Sequence, residues 1–217
     1  MDQQVGSGPS AGVVNGQLLG QARVFGGVGS LLVFLTILPY VGGVLGILGL
    51  AFVLLAVKYI ADAVRDRAIF RNMALGVGLA AAGIVVGVLV VFAAVVRFMG
   101  VGWMMGQNPT PPTLTPAETW AFIVTLIVGL LALWGFFLAS AVYMKRSYDA
   151  IGRRLNVSMF HTAAVVYLVG AALAIILVGF LLLFLAEILF TAAFFSIPEG
   201  APRSANVPPA DPARWGG

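Results

Sequence analysis

Two apolar runs, residues 24–57 and 163–195, are each too long to cross a lipid bilayer once. Glu187 is the one acidic or basic side chain in either of them. At about 1.5 Å of rise per residue, each run would make a helix of roughly 50 Å, against a hydrocarbon core of about 30 Å. Each must therefore fold back on itself, or kink and tilt steeply. The first carries its own break, Pro39-Tyr40-Val41-Gly42-Gly43, and the second has Gly179 at the corresponding place. The expectation is an all-α polytopic bundle of six hydrophobic helices arranged as hairpins, with four long broken spans as the alternative count.

Composition agrees. The chain has 217 residues, of which 61% are hydrophobic and 9% charged, with mean hydropathy +1.05. Soluble domains carry about 25% charged residues, so this is one membrane-embedded domain. Its expected limits are residues 18–197, with a flexible polar tail at 1–17 and a Pro/Ala/Gly-rich flexible tail at 198–217. The first twenty residues lack the basic start and short apolar core of a cleavable signal. The 27 glycines suit helices that approach closely without a hydrophobic effect to draw them together. A pI near 9.9 raises nucleic acid as a partner. The basic residues lie in the loops between spans, however, where they orient membrane proteins, so no nucleic acid is expected. Without cysteine there is no disulfide or thiolate chemistry. His161, as the single histidine, cannot build a bis-histidine haem or a multi-histidine metal site within one chain. No cofactor is expected.

The candidate spans are residues 18–38, 42–61, 71–99, 117–143, 161–178 and 180–197. With a cytoplasmic N-terminus, the inside carries Arg23, Lys58, Arg65, Arg67, Arg71, Lys145, Arg146, Arg153, Arg154, Arg203 and Arg214, and Arg97 alone lies outside. Four spans would put Arg23, Arg97, Arg203 and Arg214 outside and obey the positive-inside rule less well. Both termini are thus expected in the cytoplasm, and the membrane is expected to be the plasma membrane. The outer loop, residues 100–116, is stiffened by proline, and its Trp103 suits the headgroup layer. Thr115-Pro116-Ala117-Glu118 reads as a capping box with proline in the first turn. Asn156 or Ser158 is expected to cap the fifth span, and the sequon they form would face the cytoplasm unglycosylated.

The two apolar runs resemble each other. Val28-Gly29-Ser30-Leu31-Leu32 and its bend at Gly42 parallel Val169-Gly170-Ala171-Ala172-Leu173 and Gly179, with Gly42 and Gly179 offset by 137 positions. Both hairpins would begin inside, as a parallel repeat, and repeats of this kind occur in transporters. Gly26-Gly27-Val28-Gly29-Ser30, Pro39-Tyr40-Val41-Gly42-Gly43, Ala56-Val57-Lys58-Tyr59-Ile60-Ala61-Asp62 followed by Ile69-Phe70, Arg146-Ser147-Tyr148 and Ala193-Phe194-Phe195-Ser196-Ile197 carry a further resemblance. Over residues 18–198 the chain resembles the archaeal and bacterial membrane proteins grouped as DUF996. The resemblance implies an archaeal plasma membrane protein and no established activity, ligand or catalytic residue. It also implies that the position of Glu187 is usually apolar or aromatic, which argues against a relay shared by the family.

Few residues could carry chemistry. Glu187 would lie roughly 10 Å below the outer end of the last span. An ionised carboxylate there is costly, so it should face the bundle, find a donor or take up a proton. The expected role is a proton or cation relay, a protonated acid hydrogen-bonded between helices, or a contact with a partner subunit. Arg97 is its candidate partner, or else snorkels to the headgroups. Lys58, Asp62 and Asp66 would share one face of a continuing helix. That face either holds a magnesium ion and a phosphorylated substrate with Arg65, Arg67 and Arg71, or forms a salt-bridged extension that fixes orientation. Lys145, Arg146, Arg153 and Arg154, interleaved with Tyr143, Tyr148 and Leu155, read as a basic amphipathic segment on anionic headgroups. Gly42, Gly46 and Gly49, with Gly83 and Gly87, have the spacing of close helix contacts, between the second and third spans or toward another protein.

The functional expectation is a non-enzymatic accessory or scaffolding subunit in the bilayer, associating with other membrane subunits or with itself. The alternatives are a small transporter or channel using Glu187, and a lipid-modifying enzyme using Asp62 and Asp66.

Overall fold

Proline removes a backbone donor and forbids helix at the residue before it, so a helix arriving at Pro39 has to stop. The computed structural model describes residues 11–107, 113–176 and 178–198, apart from the side chains of residues 11–15 and 103. In it, α1 (Ala11–Phe34) tightens into a 3-10 turn at Leu35–Ile37. Leu38 is extended (ψ 126°), Tyr40 takes φ +67°, and α2 (Gly42–Ala63) runs back. A second hairpin closes the chain, with α6 (Met159–Leu173), a 3-10 turn at Ala174–Ile176, and α7 (Val178–Phe195). Between the hairpins stand α3 (Arg67–Met99) and α5 (Pro116–Leu155), joined by a connection that contains the one-turn α4 (Val101–Met104). Six helices are long and apolar enough to span a bilayer. The protein is an all-α membrane bundle, and six spans replace the alternative count of four.

Three boundaries differ from the sequence reading. Within the described residues α1 runs from Ala11, so residues 11–17 are helical instead of tail; extending an existing helix costs far less than nucleating one. The second reversal begins in the 3-10 turn Ala174–Ile176, and Gly179 already lies inside α7. Asn156 does not cap the fifth span. It ends α5 in the left-handed region at φ 54°, while Ser158 occupies the N-cap of α6 without a side-chain bond. The capping box is present as expected: Thr115 N donates to the Glu118 carboxylate at 2.8 Å, and Glu118 N to Thr115 Oγ1 at 3.3 Å. The calls on the Trp103 side chain, Arg203, Arg214 and residues 1–10 and 199–217 lie outside what the structure describes.

Each helix packs on the next, α1 on α2, α2 on α3, α3 on α5, α5 on α6 and α6 on α7, and α7 returns to α1. The result is a closed ring. Glycines let the seams close. A Cβ on Gly26 or Gly27 would enter the ring of Phe194 or Phe195. One on Gly83 would come within 2.6 Å of Phe136 Cβ, and one on Gly129 within 2.6 Å of Val90. The glycine rows named from sequence therefore have other partners than expected. Gly42 and Gly46 meet Thr36, Gly49 meets α1, and Gly83 and Gly87 meet α5; α2 and α3 do not use them against each other.

Gly42 and Gly179 play matching parts in the two hairpins. A side chain on Gly42 would overlap the Thr36 carbonyl, and one on Gly179 would overlap Gly170 O and Ala174 N. Both sit in the first turn of a returning helix, pressed against the 3-10 turn just passed, so close approach and not turn geometry requires glycine there.

Leu19, Ile60, Ile69, Ile151, Phe160, Phe194 and Ile197 form one core at the end where the loops are basic, so all six helices are level there. They are not level at the other end. Helices of 33 and 40 residues reach roughly 50 and 60 Å, whereas the two spans of the last hairpin, Met159–Ile176 with its 3-10 turn and Val178–Phe195, have 18 residues each and reach roughly 27 Å. The α3–α5 pair rises beyond both hairpin tips as an apolar wall. Outward faces throughout are oily, Ile47 at 73% and Leu181 at 71% exposure, as lipid contact requires.

Candidate functional site

All six long helices contribute a side chain to one small chamber on the axis of the ring. Val33 comes from α1, Leu50 and Val53 from α2, Met73 from α3, Met144 and Tyr148 from α5, Tyr167 from α6, and Glu187 and Phe190 from α7. Its volume is about 80 Å³. Toward the basic end it has an aromatic floor. Tyr148 stacks on Phe190 at 4.1 Å between centroids, Phe160 meets Phe194 edge-on at 5.1 Å, and all four rings are buried. Toward the far end it adjoins a groove of about 300 Å³ between Val33, Thr36 and Ile37 on one side and Phe180, Leu183 and Phe184 on the other. Val33, Tyr167 and Glu187 line both spaces, so the carboxyl stands at the junction.

No donor among the described residues satisfies that carboxyl. Thr191 Oγ1 bonds the Glu187 backbone carbonyl at 2.9 Å, and nothing donates to its side chain. Arg97, named as its candidate partner, is exposed in the last turn of α3, with Cζ 5.7 Å from the Phe98 ring centroid. Met73, where α3 meets the chamber, is 24 positions away, which at about 1.5 Å per residue is roughly 36 Å along the helix. The ion pair is ruled out by distance. Sequence reasoning missed Tyr167 because the span around it is apolar on every side and gives no periodicity that would mark an inward face.

At the basic end the charges separate into roles. Lys58, Arg65, Arg67, Arg71, Arg146, Arg153 and Arg154 are exposed, while Lys145 is half-buried and bonds Asp149 at 2.5 Å. Asp149 also meets His161 Nδ1 at 2.8 Å, which couples α5 to α6; the sequence reading had not singled out Asp149. Arg146 lies over Tyr143, its guanidinium carbon 5.4 Å from the ring centroid. Tyr148 and Leu155 are buried in the core, so the stretch is not an amphipathic surface segment as expected. The Asp62–Asp66 face is not formed either. Helix α2 stops at Ala63, Arg65 turns through φ +55°, and Asp66 caps α3 by accepting from Ala68 N at 3.1 Å while pairing with Arg154 at 3.0 Å. Among the described residues no cluster of three or more His, Asp or Glu side chains could hold a metal ion.

Comparison with known proteins gives a family and no activity. Residues 45–188 match the model of a "Protein of unknown function (DUF996)". The chain is 29% identical over 182 residues to "Uncharacterized protein MJ1644" of Methanocaldococcus jannaschii, covering 83% of this chain and 94% of that relative. No solved structure matches. Since the matched stretch runs from α2 into α7 and takes in most of the ring, the chain belongs to the DUF996 family.

Proposed function

We propose that this protein is a non-enzymatic accessory or scaffolding subunit of a larger assembly in the plasma membrane, with both termini cytoplasmic. The observation that carries this reading is the α3–α5 wall. At and beyond the hairpin tips the two helices pack chiefly on each other, and Ile84, Val88, Leu130 and Trp120 are all more than half exposed. Gly87 and Gly129 leave a groove of about 530 Å³ there, of the kind a neighbouring membrane helix enters. The basic loops at one end support the orientation. Extraction from native membranes in mild detergent, followed by native mass measurement, tests the reading. A hetero- or homo-oligomer is expected, and a monomer that retains only lipid overturns it.

A second reading is a small transporter or channel working through Glu187, favoured by the unsatisfied carboxyl between chamber and groove. The aromatic floor weighs against it, because the buried rings of Tyr148, Phe160, Phe190 and Phe194 close the described chamber toward the basic end. Ion and solute flux into liposomes, compared between wild type and Glu187→Gln, decides: a rate lost in the variant supports transport.

A further inference from the structure

We infer that the groove and chamber together form a ligand site, entered from the bilayer, for an amphipathic organic cation: an alkyl chain in the groove and an ammonium head at Glu187. The site differs from the α3–α5 wall and does not depend on the scaffolding role. It would serve transport through Glu187 but does not require it.

Entry from lipid follows from the hairpin tips. Residues 35–44 and 174–181 contain no charged side chain, and Ile37, Val44, Ile176 and Leu181 are more than half exposed there. Such tips belong in hydrocarbon, while the first ionic groups at that end, Arg97 and Glu118, sit on the taller α3 and α5. The groove opens between these tips. Its lining is aliphatic and aromatic apart from Thr36, whose hydroxyl bonds Val33 O, and the shared Tyr167 and Glu187. Its 300 Å³ matches the lower end of ligand pockets, about 300–1,000 Å³.

The chemistry of the head follows from the chamber. Glu187 is its one group able to carry charge at neutral pH, and no Lys, Arg or His lines either space. An anionic head would be repelled. A neutral head could hydrogen-bond the carboxylate but would leave its charge uncompensated in an apolar site. An ammonium supplies donors and charge at once, in a chamber otherwise lined by aliphatic side chains and by Tyr148, Tyr167 and Phe190. A chamber of 80 Å³ takes a head of few atoms, since one water occupies about 30 Å³.

The test is equilibrium binding of labelled dodecylamine to the full chain in nanodiscs of zwitterionic lipid, with empty discs as baseline. Saturable binding near one per chain is expected, competed by unlabelled amine and at least tenfold less well by dodecanol or dodecanoate. Glu187→Gln should weaken it at least tenfold, and Ile37→Trp, at the exposed groove mouth, should do so with the carboxyl intact. Equal binding by both variants and wild type, equal competition by dodecanol, or uptake no greater than that of empty discs overturns the assignment. Because the readout is binding, these failures leave oligomeric state and flux untouched.

Discussion

Gly29 and Gly49 face each other across the first hairpin so closely that neither tolerates a methyl group. A Cβ on Gly29 would stand 2.8 Å from Gly49 O, and one on Gly49 would stand 2.6 Å from Gly29 O. Backbone is the obstacle on both sides, so no rotamer change relieves the clash. Gly29→Ala and Gly49→Ala should each destabilise the fold by about 1–3 kcal/mol, the usual cost of overpacking. Gly78→Ala and Gly135→Ala, where nothing lies within 4 Å, should be neutral or mildly stabilising. Thermal unfolding of the four variants in one detergent separates the seam from ordinary glycine.

The same logic extends to α3 against α5. Gly83→Leu would drive a branched side chain into Phe136 and should abolish folding or assembly before any activity changes. Yield and size-exclusion profile are the measurement, and a well-folded Gly83→Leu protein would contradict the packing described here.

Asp149 should behave as a clasp between α5 and α6. Asp149→Asn removes the ionic partner of both Lys145 and His161. Because His161 is largely exposed, a double-mutant cycle of Asp149→Asn with His161→Ala should return only about 0.2–1 kcal/mol, and less in high salt.

Removing the Thr115 cap should act locally. Thr115→Ala leaves the Glu118 amide in the first turn of α5 without its acceptor at a cost of about 1 kcal/mol. Hydrogen exchange should speed up over the first turn of α5 while the ring beyond Gly129 stays protected.

Position along the membrane normal can be read with single cysteines, because the native chain has none. Arg153→Cys should react with an impermeant maleimide from the side of the termini, and Glu118→Cys from the opposite side. Tyr40→Cys, fully exposed in the bundle yet flanked by apolar neighbours, should react poorly from either side. Rapid labelling at Tyr40 would place that tip in water.

The parts of this fold that announced themselves were local or periodic. Pro39 ends a helix wherever it occurs, and the Thr115–Glu118 box needs four consecutive residues and no tertiary contact. Gly179 misled because a glycine in an apolar run reads the same whether it turns the chain or lets another backbone approach. The partners of Gly49 and Gly83 were hidden for a related reason: small residues mark a helix face without naming what lies against it. Tyr148 looked interfacial beside Arg146 and became a floor of the chamber, since an apolar bundle inverts the usual cue of polarity outside. Glu187 was conspicuous in sequence, and its neighbourhood was not, because six separate helices supply it.

The charge-free hairpin tips also bear on how the chain is made. A hairpin whose reversal is as oily as its legs can slide into lipid as a unit, with no hydrated loop to drag through. With both termini cytoplasmic, as proposed, only the connection from Gly100 to Thr115 would present a polar load to the insertion machinery, and biogenesis would reduce to a single demanding translocation step.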